Sequence, residues 1–492
     1  MRDNKLTSKK DIDVDEKGLT VKKNENFSEW YSQIVQKAEL GDLRYNVKGF
    51  LVFQPWSVLC MEKMYKHFEK ALQSRGHSPY FFPTLIPEEN FKKEAGHVKG
   101  FYPEVFWVTH GGKTKLSEKL AMRPTSETAF YQMFNIWVRS YKDLPFKTYQ
   151  RANVFRYETK ATRPFLRSRE FHWIETHCCF PTTKDAMNQV NEDMEVTKEL
   201  LHDTFCLPFI FFERPQWDKF PGAEKTFAAD VLNPDGKVVQ QPSTHLIKQD
   251  FAKAFDIKFV DKDGKEKYVW TTCYGPSISR IFASIVIVHG DDKGLRFPWE
   301  IAPKHVAIVP ISNDRSLIKK AEDLKKAIGE FVDVVIDDSD KSPGEKFNYW
   351  EMKGVPVRID LGDKELEEKK LTVFRRDLNK KETIYENDLM NYLNKVSKDS
   401  FENLMNQAES IFNNRIKNIK TIDEMKKVIE DGNIARCGFC FIDNKGEKCA
   451  EVIEKNVGAK IRGINLNKEK ATGKCLICNK KARCIVYVAR DY

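Results

Sequence analysis

The sequence has no apolar stretch long enough to cross a membrane. Its longest apolar run, from Ile281 to Val288 with one serine inside it, is far shorter than the roughly 20 residues that a spanning helix needs. The first sixteen residues are mostly polar and charged, which argues against a secretory signal. Internal repeats and low-complexity segments are also missing. We therefore expect a soluble, cytoplasmic protein.

A second absence concerns glycine-rich loops. The 24 glycines form neither a Walker A loop nor a GxGxxG pattern, so the usual backbone cradles for phosphate are missing. A bound nucleotide would have to be held by side chains instead. Apolar residues make up 41% of the 492, enough for several packed cores, which excludes an intrinsically disordered chain. The net charge of +10 is compatible with a polyanionic partner and equally with a lysine-rich surface.

The cysteines are unevenly distributed. Six of the eleven lie between Cys437 and Cys484, and an odd number cannot pair completely into disulfides. The two CxxC pairs, Cys437–Cys440 and Cys475–Cys478, are typical of tetrahedral zinc sites. We therefore expect zinc in the C-terminal region, with free buried thiols as the alternative.

Composition divides the chain into four predicted domains: an N-terminal extension with a helix (1–45), an aromatic-rich α+β domain (46–302), an α/β domain (303–405) and a Cys-rich domain (406–492). Apolar periodicity predicts helices over Asn26–Leu40, Met61–Leu72 and within 182–205. The run Ile281–Val288 is predicted to be a buried strand.

The third domain shows an alternation of strands and helices that is typical of a compact α/β fold. Its predicted strands are His305–Ile311, Val332–Ile336, Pro356–Leu361 and Leu371–Arg376. Between the first two, Leu317, Ala321, Leu324, Ile328 and Phe331 are predicted to share one helix face.

The segment Tyr149–Glu175 is the richest in candidate chemistry. Two predicted strands, Ala152–Tyr157 and Arg169–Glu175, and the loop between them contain four of its five arginines: Arg156, Arg163, Arg167 and Arg169. The fifth, Arg151, directly precedes the first strand. Arginine forks match phosphate oxygens, so arginines converging on a sheet would suit a nucleotide triphosphate. The alternative is a surface hairpin with solvated arginines.

Several segments of this sequence resemble class II aminoacyl-tRNA synthetases. FRYE (155–158), its loop and FLRSREF (165–171) resemble motif 2, residues 49–55 with the following helix resemble motif 1, and GPSISR (275–280) resembles motif 3. MRPTSE (122–127), PFLRSREFHW (164–173), HGDDKGL (289–295) and SPGEKFNYWEMKGVPVRIDLG (342–362) resemble, more narrowly, the prolyl-tRNA synthetases of the archaeal/eukaryotic-like type.

This resemblance implies the fold and the reaction. The fold would be α+β and multidomain: an antiparallel-sheet catalytic domain, an α/β anticodon-binding domain and a small Cys-rich, zinc-binding-like α/β domain. The enzyme would activate L-proline with ATP to prolyl-adenylate and transfer proline to the 3′ end of tRNA(Pro), releasing AMP and pyrophosphate. It would be a homodimer with the motif 1 helix at the interface. The short segment between motif 2 and Gln240 leaves no room for an editing insertion.

The resemblance also implies roles for individual residues. Proline would be bound by Thr125, Glu127, Arg156, Trp173, His245 and Ser277, with Phe171 as a further wall of the pocket. ATP would be bound by Arg156, Glu158, Arg167, Gln240, Ser243 and Arg280, with Arg156 and Arg280 catalytic and Gln240 placing Mg²⁺. Zinc would be held by Cys437, Cys449, Cys475 and Cys478, with Cys440 as a possible substitute for Cys437.

Several alternatives stay open at this stage. PTSE also fits a helix N-cap, and Pro242 and Ser243 depart from the family pattern. Candidates for anticodon contact are Lys346, Glu351, Arg358, Arg375 and Arg376, with surface ion pairs as their alternative. The rival functions are threonyl-tRNA or another related synthetase, and a catalytically silent synthetase-like protein that binds tRNA.

Overall fold

The structure, a computed structural model, describes residues 18–95, 105–157, 161–467 and 469–492. The helices are α1 (Phe27–Lys37), α2 (Pro55–Gln73), α3 (Glu88–Ala95), α4 (Glu127–Trp137), α5 (Thr183–Thr197), α6 (Asp250–Ala254), α7 (Ile278–His289), α8 (Arg315–Ile328), α9 (Pro343–Lys353), α10 (Asp363–Glu368), α11 (Leu389–Asn414), α12 (Ile422–Glu430) and α13 (Glu447–Val457). Over these ranges, none of the helices is both long and apolar enough to traverse a bilayer.

The strands are β1 (Gly41–Asp42), β2 (Val52–Phe53), β3 (Ser78–Pro79), β4 (Leu85–Pro87), β5 (Trp107–Gly111), β6 (Thr114–Met122), β7 (Phe146–Phe155), β8 (Glu170–Phe180), β9 (Ile210–Glu213), β10 (Ala223–Leu232), β11 (Lys237–Ile247), β12 (Lys258–Val260), β13 (Glu266–Tyr268), β14 (Trp270–Gly275), β15 (Val306–Pro310), β16 (Val334–Ile336), β17 (Val357–Leu361), β18 (Lys370–Arg375), β19 (Lys380–Tyr385), β20 (Ile416–Asn418), β21 (Ile434–Phe439), β22 (Lys460–Asn465) and β23 (Cys484–Asp491).

The described residues divide into two compact units. Unit one comprises those within 1–45, 51–60 and 285–404, and unit two those within 46–50, 61–284 and 405–492. This grouping places the Cys-rich region in the same unit as most of the predicted catalytic domain. The four predicted domain boundaries stay predictions.

Unit one contains a five-stranded mixed sheet in the order β16-β15-β17-β18-β19. The predicted strands and the helix between the first two are confirmed, and α8 buries Leu317, Leu324 and Ile328 against the sheet. The prediction for Phe331 is wrong: α8 ends at Ile328, and the Phe331 side chain beyond it is 71% exposed.

The predicted anticodon contacts in unit one are engaged in buried interactions. Arg376, which is 1% exposed, donates to both carboxylate oxygens of Asp291 at 2.6 and 2.8 Å. Arg358 donates to Asp360 at 2.6 Å and to Glu351 at 2.9 Å. Arg375 and Lys346 are buried as well. The alternative of surface ion pairs is therefore wrong, because these pairs lie in the interior.

Breaking one of these buried pairs should destabilise unit one. We expect Arg376→Met to lower the free energy of unfolding by about 3 kcal/mol, because it leaves the Asp291 carboxylate without its forked partner. Urea unfolding of the full chain measures this. Lys364→Met, at a side chain that is 80% exposed, is the control and should leave the curve unchanged. Unchanged unfolding of R376M together with a raised KM for tRNA would instead identify Arg376 as an anticodon contact.

Unit two contains an eleven-stranded sheet in the order β20-β21-β23-β22-β9-β10-β11-β14-β8-β7-β3. The segment from β9 to β7 is antiparallel throughout. Helix α5 packs on this segment through Ala186 and Val190, and the predicted helices at α1, α2 and α5 are confirmed. The sheet joins the predicted catalytic region to the Cys-rich region, because β22 pairs with β9.

The predicted strand over Ile281–Val288 is a helix, α7. A continuous apolar run fits a buried strand and a buried helix equally well, so periodicity could not separate them. In the structure Ile281, Phe282 and Ile285 are fully buried. Arg280 therefore stands in the first turn of a helix rather than ahead of a strand.

Pro242 is accommodated in the middle of β11 by a bulge. The register with β10 shifts between the pairs Ala228–Ser243 and Asp230–Gln240, so two residues of β11 lie opposite one of β10. A bulge is one of the few sheet positions that tolerate proline, which has no N–H to donate to the ladder. The shift also turns Gln240 to the same face as Ser243, although a regular strand would place them on opposite faces.

Candidate active site

A cavity of about 560 Å³ lies against strands β8, β10, β11 and β14 in unit two. Most of the predicted site residues line it: Thr125, Glu127, Arg156, Phe171, Trp173, Gln240, Ser243, His245, Ser277 and Arg280. Arg167 does not appear among the described lining residues, and Glu158 lies outside the described part of the chain. The structure thus brings the predicted proline-binding residues together with most of the predicted ATP-binding residues.

Thr125 and Glu127 stand at the start of α4 and share a hydrogen bond, with the threonine hydroxyl donating to the carboxylate. Ser126 occupies the N-cap position of α4, as the N-cap alternative predicts. Its side chain makes no capping hydrogen bond, however, and its hydroxyl oxygen accepts from the Gln150 side chain at 2.7 Å. The side chains of Thr125 and Glu127 are thereby left to the cavity.

Glu175, which sequence analysis did not single out, accepts hydrogen bonds from the turn that contains Thr125 and Ser126. Its carboxylate accepts from the Ser126 N–H at 3.1 Å, from the Thr125 hydroxyl at 3.2 Å and from Gln150 at 2.7 Å. Burial alone would raise the pKa of Glu175, but the hydrogen bond and charge of His177 and the other donors lower it to about 2. An ionised carboxylate therefore lies beneath the predicted imino-group site.

Arg156 stands just past the end of β7, and its guanidinium lies over two aromatic rings of the cavity. The distances to the ring centroids are 5.2 Å for Phe171 and 5.7 Å for Trp173. Its Nε donates to the Pro124 carbonyl at 3.1 Å. Gly275 permits Trp173 to lie this close to the next strand, since a Cβ there would be only 3.3 Å from the ring.

His245 is held as a neutral imidazole. Its Nδ1 pairs with the Thr226 hydroxyl at 2.9 Å and its Nε2 with the Ser243 hydroxyl at 3.1 Å. Burial, followed by the charge of Arg214, lowers the pKa of His245 to about 3. The Phe220 ring lies 4.7 Å from the imidazole and completes an apolar wall.

The cavity also has cationic lining residues. Arg280 donates to the Leu166 carbonyl and to the Gln240 carbonyl, each at 3.2 Å. Arg214 donates to the Gln240 side-chain oxygen at 3.2 Å. Two buried polar atoms at the cavity, Trp173 Nε1 and Ser277 Oγ, have no hydrogen-bond partner among the described residues, which suits a polar ligand.

The prediction that several motif 2 arginines converge on one ligand is wrong for most of them. Of the five, Arg156 alone appears among the described lining residues of the cavity. Arg151 contacts Glu62 and stacks on Tyr65 at 3.7 Å, and Arg169 lies over the Tyr157 ring at 4.3 Å. Arg163 donates to the Tyr492 hydroxyl at 3.3 Å, and the predicted contact of Arg167 with ATP stays a prediction.

Sequence analysis missed a second group of lining residues, in the segment after β9. These are Arg214, Asp218, Lys219 and Phe220. No local pattern distinguishes them, because they reach the cavity only through the packing of this segment against β10 and β11. Glu175 could have been found, since it lies two positions after Trp173 on the same strand and therefore on the same face of the sheet.

The Cys-rich region brings four thiols together. The Sγ atoms of Cys440, Cys449, Cys475 and Cys478 all lie within 4.8 Å of one another. This group contains Cys440, the predicted substitute, together with three of the predicted ligands, and does not contain Cys437. Cys437 lies within β21, in register with Val486, whereas Cys440 follows the strand end, and both are buried in the same apolar cluster.

Comparison with known proteins identifies the family. Residues 106–289 match a tRNA synthetase class II core domain (G, H, P, S and T), residues 305–396 an anticodon-binding domain and residues 422–492 a prolyl-tRNA synthetase C-terminal domain. A proline–tRNA ligase of Thermofilum pendens is 48% identical over 97% of this chain and 100% of its own. The chain belongs to the prolyl-tRNA synthetase family. The predicted family, fold class and enzyme class, a class II proline–tRNA ligase, are confirmed.

Other members of the prolyl-tRNA synthetase family support this. The proline–tRNA ligase of Methanobrevibacter smithii is 43% identical over 95% of this chain and all of its own. A Giardia lamblia prolyl-tRNA synthetase structure, in complex with prolyl-adenylate, superposes with a TM-score of 0.92 at 37% identity, over 96% of this chain and 100% of its own. Threonyl-tRNA synthetase is excluded by the C-terminal domain and these relatives rather than by the core, which the two families share.

The pKa of Glu175 predicts a pH dependence of stability. Because its folded pKa is lowered from 4.5 to about 2, ionised Glu175 stabilises the fold above about pH 4.5, and this contribution is lost as the pH falls towards 2. We expect the stability difference between wild type and Glu175→Gln to shrink by about 3 kcal/mol over that window. Urea titrations followed by tryptophan fluorescence measure it. Parallel profiles for E175Q and wild type would contradict the assignment.

Proposed function

We propose that the cavity in unit two is where this synthetase condenses L-proline with ATP. The observation that supports this most directly is the shared position of Thr125, Glu127, Arg156 and Arg280 on one cavity. The cavity is lined by an anionic group, Glu127, and by cationic groups, Arg156 and Arg280, as a zwitterionic amino acid and a triphosphate require. The Giardia lamblia relative binds prolyl-adenylate, the product of that condensation.

The proline pocket would be built from Thr125, Glu127, Trp173, His245 and Ser277. A secondary ammonium needs an anionic or hydroxyl acceptor, and Glu127 and Thr125 are both present at the cavity wall. The pyrrolidine ring needs an apolar wall, which Trp173 and the neighbouring phenylalanines supply. His245 stays neutral at physiological pH, so it does not repel the ammonium.

Arg156 would bring the two reactants together. A guanidinium over the proline pocket can bind the substrate carboxylate and the α-phosphate at once, which positions the nucleophile for attack. The carboxylate is already ionised, so no general base is needed. Arg280 would stabilise the charge that develops on the phosphoryl group, and the predicted ATP contacts of Arg167 and Ser243 stay predictions.

Gln240 fits a role with ATP-bound Mg²⁺. Its side chain offers a carbonyl oxygen at the cavity, and Mg²⁺ is commonly bound through one or two protein oxygens plus substrate phosphates. Bound there, the ion would neutralise phosphate charge. Glu158, predicted to bind ATP, stays a prediction.

Arg156→Ala tests this assignment. We expect proline-dependent pyrophosphate exchange to fall at least about 100-fold, because the variant loses a charged contact to the reacting groups. Arg151→Ala is the matched control: the same residue type on the same hairpin, with contacts to Glu62 and Tyr65 instead of the cavity. Exchange by R156A near the wild-type rate, with R151A equally active, would remove Arg156 from the mechanism.

We also propose that Cys440, Cys449, Cys475 and Cys478 bind zinc. Zinc–thiolate bonds of about 2.3 Å place tetrahedral sulfurs about 3.8 Å apart, which the 4.8 Å spread of these thiols accommodates. Four thiolates would hold the ion without an open position, as in structural rather than catalytic sites.

The zinc content of two variants tests whether Cys440 or Cys437 is the ligand. We expect the purified chain to contain about one zinc per molecule, Cys440→Ser to lose most of it, and Cys437→Ser to retain it, because only the former removes a ligand. Plasma mass spectrometry of the folded proteins measures this. A metal-free wild type would favour free thiols, and loss of zinc in C437S alone would restore the ligand set predicted from sequence.

The anticodon-binding domain indicates tRNA as the second substrate, and we propose tRNA(Pro) as the cognate one. We further propose a homodimer that uses the motif 1 helix. The segment around its start exposes large apolar side chains, Val52, Val58 and Leu59 among them, as a protein–protein interface requires. The sedimentation mass of the intact chain tests this. A cytoplasmic location stays a prediction.

A further inference from the structure

A buried ion cluster connects the C-terminal region to the cavity wall within unit two. Its centre is Asp230 on β10, which is 1% exposed. Arg214 donates to its two carboxylate oxygens at 2.6 and 3.1 Å, and Arg462 on β22 donates to them at 2.7 and 3.3 Å. Both guanidinium groups are buried, and Arg214 also donates to the Arg462 carbonyl at 2.7 Å. One carboxylate thus orients two guanidinium groups.

The backbone around Arg462 is built for this close approach. β22 pairs with β9 next to Arg214, with Ile464 opposite Glu213. Gly463 has a φ of +139°, and a Cβ at this position would lie 2.3 Å from the Glu213 carbonyl oxygen. Only glycine allows the two strands to meet here, so the Arg462 side chain is delivered into the catalytic part of the sheet.

The ion cluster contacts Gln240, a residue that we assign to ATP binding. Arg214 uses the same Nη2 atom to donate to Asp230 and to the side-chain oxygen of Gln240. Gln240 in turn accepts from Arg280 through its backbone carbonyl. The contacts therefore run without a gap from Arg462 to the two residues on the nucleotide side of the cavity.

The two arginines keep Asp230 ionised and fix the orientation of its carboxylate. Burial works to raise the pKa of Asp230, but Arg214 and Arg462 hold it below its usual value, so the carboxylate stays ionised. Two forked guanidinium groups fix its orientation more firmly than one. Without the Arg462 side chain, the Asp230 carboxylate would lose one of its two forked partners, and Arg214 could then turn with it away from Gln240.

We propose that Arg462 is a positioning residue for ATP binding: it holds Arg214 through Asp230, and Arg214 holds Gln240. The proposal rests on the proposed role of Gln240 in the nucleotide site. It assigns the C-terminal region a direct part in the activation of proline, independent of tRNA.

The test is pyrophosphate exchange by Arg462→Met in the full-length protein, with ATP and proline varied separately. We expect the KM for ATP to rise about tenfold, as for residues that act on a site through bonded neighbours, and the KM for proline to change less than about twofold. Lys460→Met is the control on the same strand, since its side chain is 42% exposed and contacts only Glu454 and Asp491 among the described acidic groups. An unchanged KM for ATP in folded R462M, or an equal rise for both substrates, would overturn the proposal.

A double-mutant cycle with Gln240→Ala separates the proposal from the proposed function. If Arg462 acts through Gln240, R462M should add less than about twofold to the KM for ATP in the Q240A background. Additive effects would overturn the positioning path while leaving Gln240 in the ATP site. No effect of Q240A alone would remove Gln240 from that site and the proposal with it. Should R462M fail to fold, Arg462→Lys, which keeps the charge and loses the fork, decides by the same two measurements.

Discussion

The register of the antiparallel ladder in unit two is the constraint on which the site depends. Thr226, His245, Cys273 and His177 stand opposite one another on β10, β11, β14 and β8, and all four line the cavity. A slip of one residue in any of these pairs would turn a whole row of side chains to the other face of the sheet. The cavity therefore depends on backbone hydrogen bonds between strands that are far apart in sequence.

Buried carboxylates provide the second level of order. Glu175 and Asp230 are both buried and both surrounded by donors: Glu175 lines the cavity, and Asp230 is bonded to the lining residue Arg214. Removing a charge from water is unfavourable unless hydrogen bonds and opposite charges replace the solvent. Such a group fixes the orientation of every donor around it, so it can hold a binding site in place without touching the substrate.

The sequence predicted the fold class and much of the site because ordered motifs span nearly the whole chain. It failed where a choice depended on packing. The run Ile281–Val288 forms a helix, since an apolar segment buried on all sides has no periodicity to reveal its type. The motif 2 arginines were predicted to converge, yet strand ends and turns direct most of them to other partners. Arg376 was predicted at the surface or on RNA and is buried with Asp291.

The choice between Cys437 and Cys440 shows the same division. The sequence spacing indicates that the pair Cys437–Cys440 can supply a zinc ligand, but either of the two cysteines fits that spacing. The structure favours Cys440, because this residue follows the end of β21 and lies close to three other thiols, whereas Cys437 within the strand is not in that group. By itself the sequence determined the family, its chemistry and the residue types at the site. Only the tertiary structure decided which members of each set meet, since that depends on strand register and on contacts between residues as distant as Arg214 and Arg462.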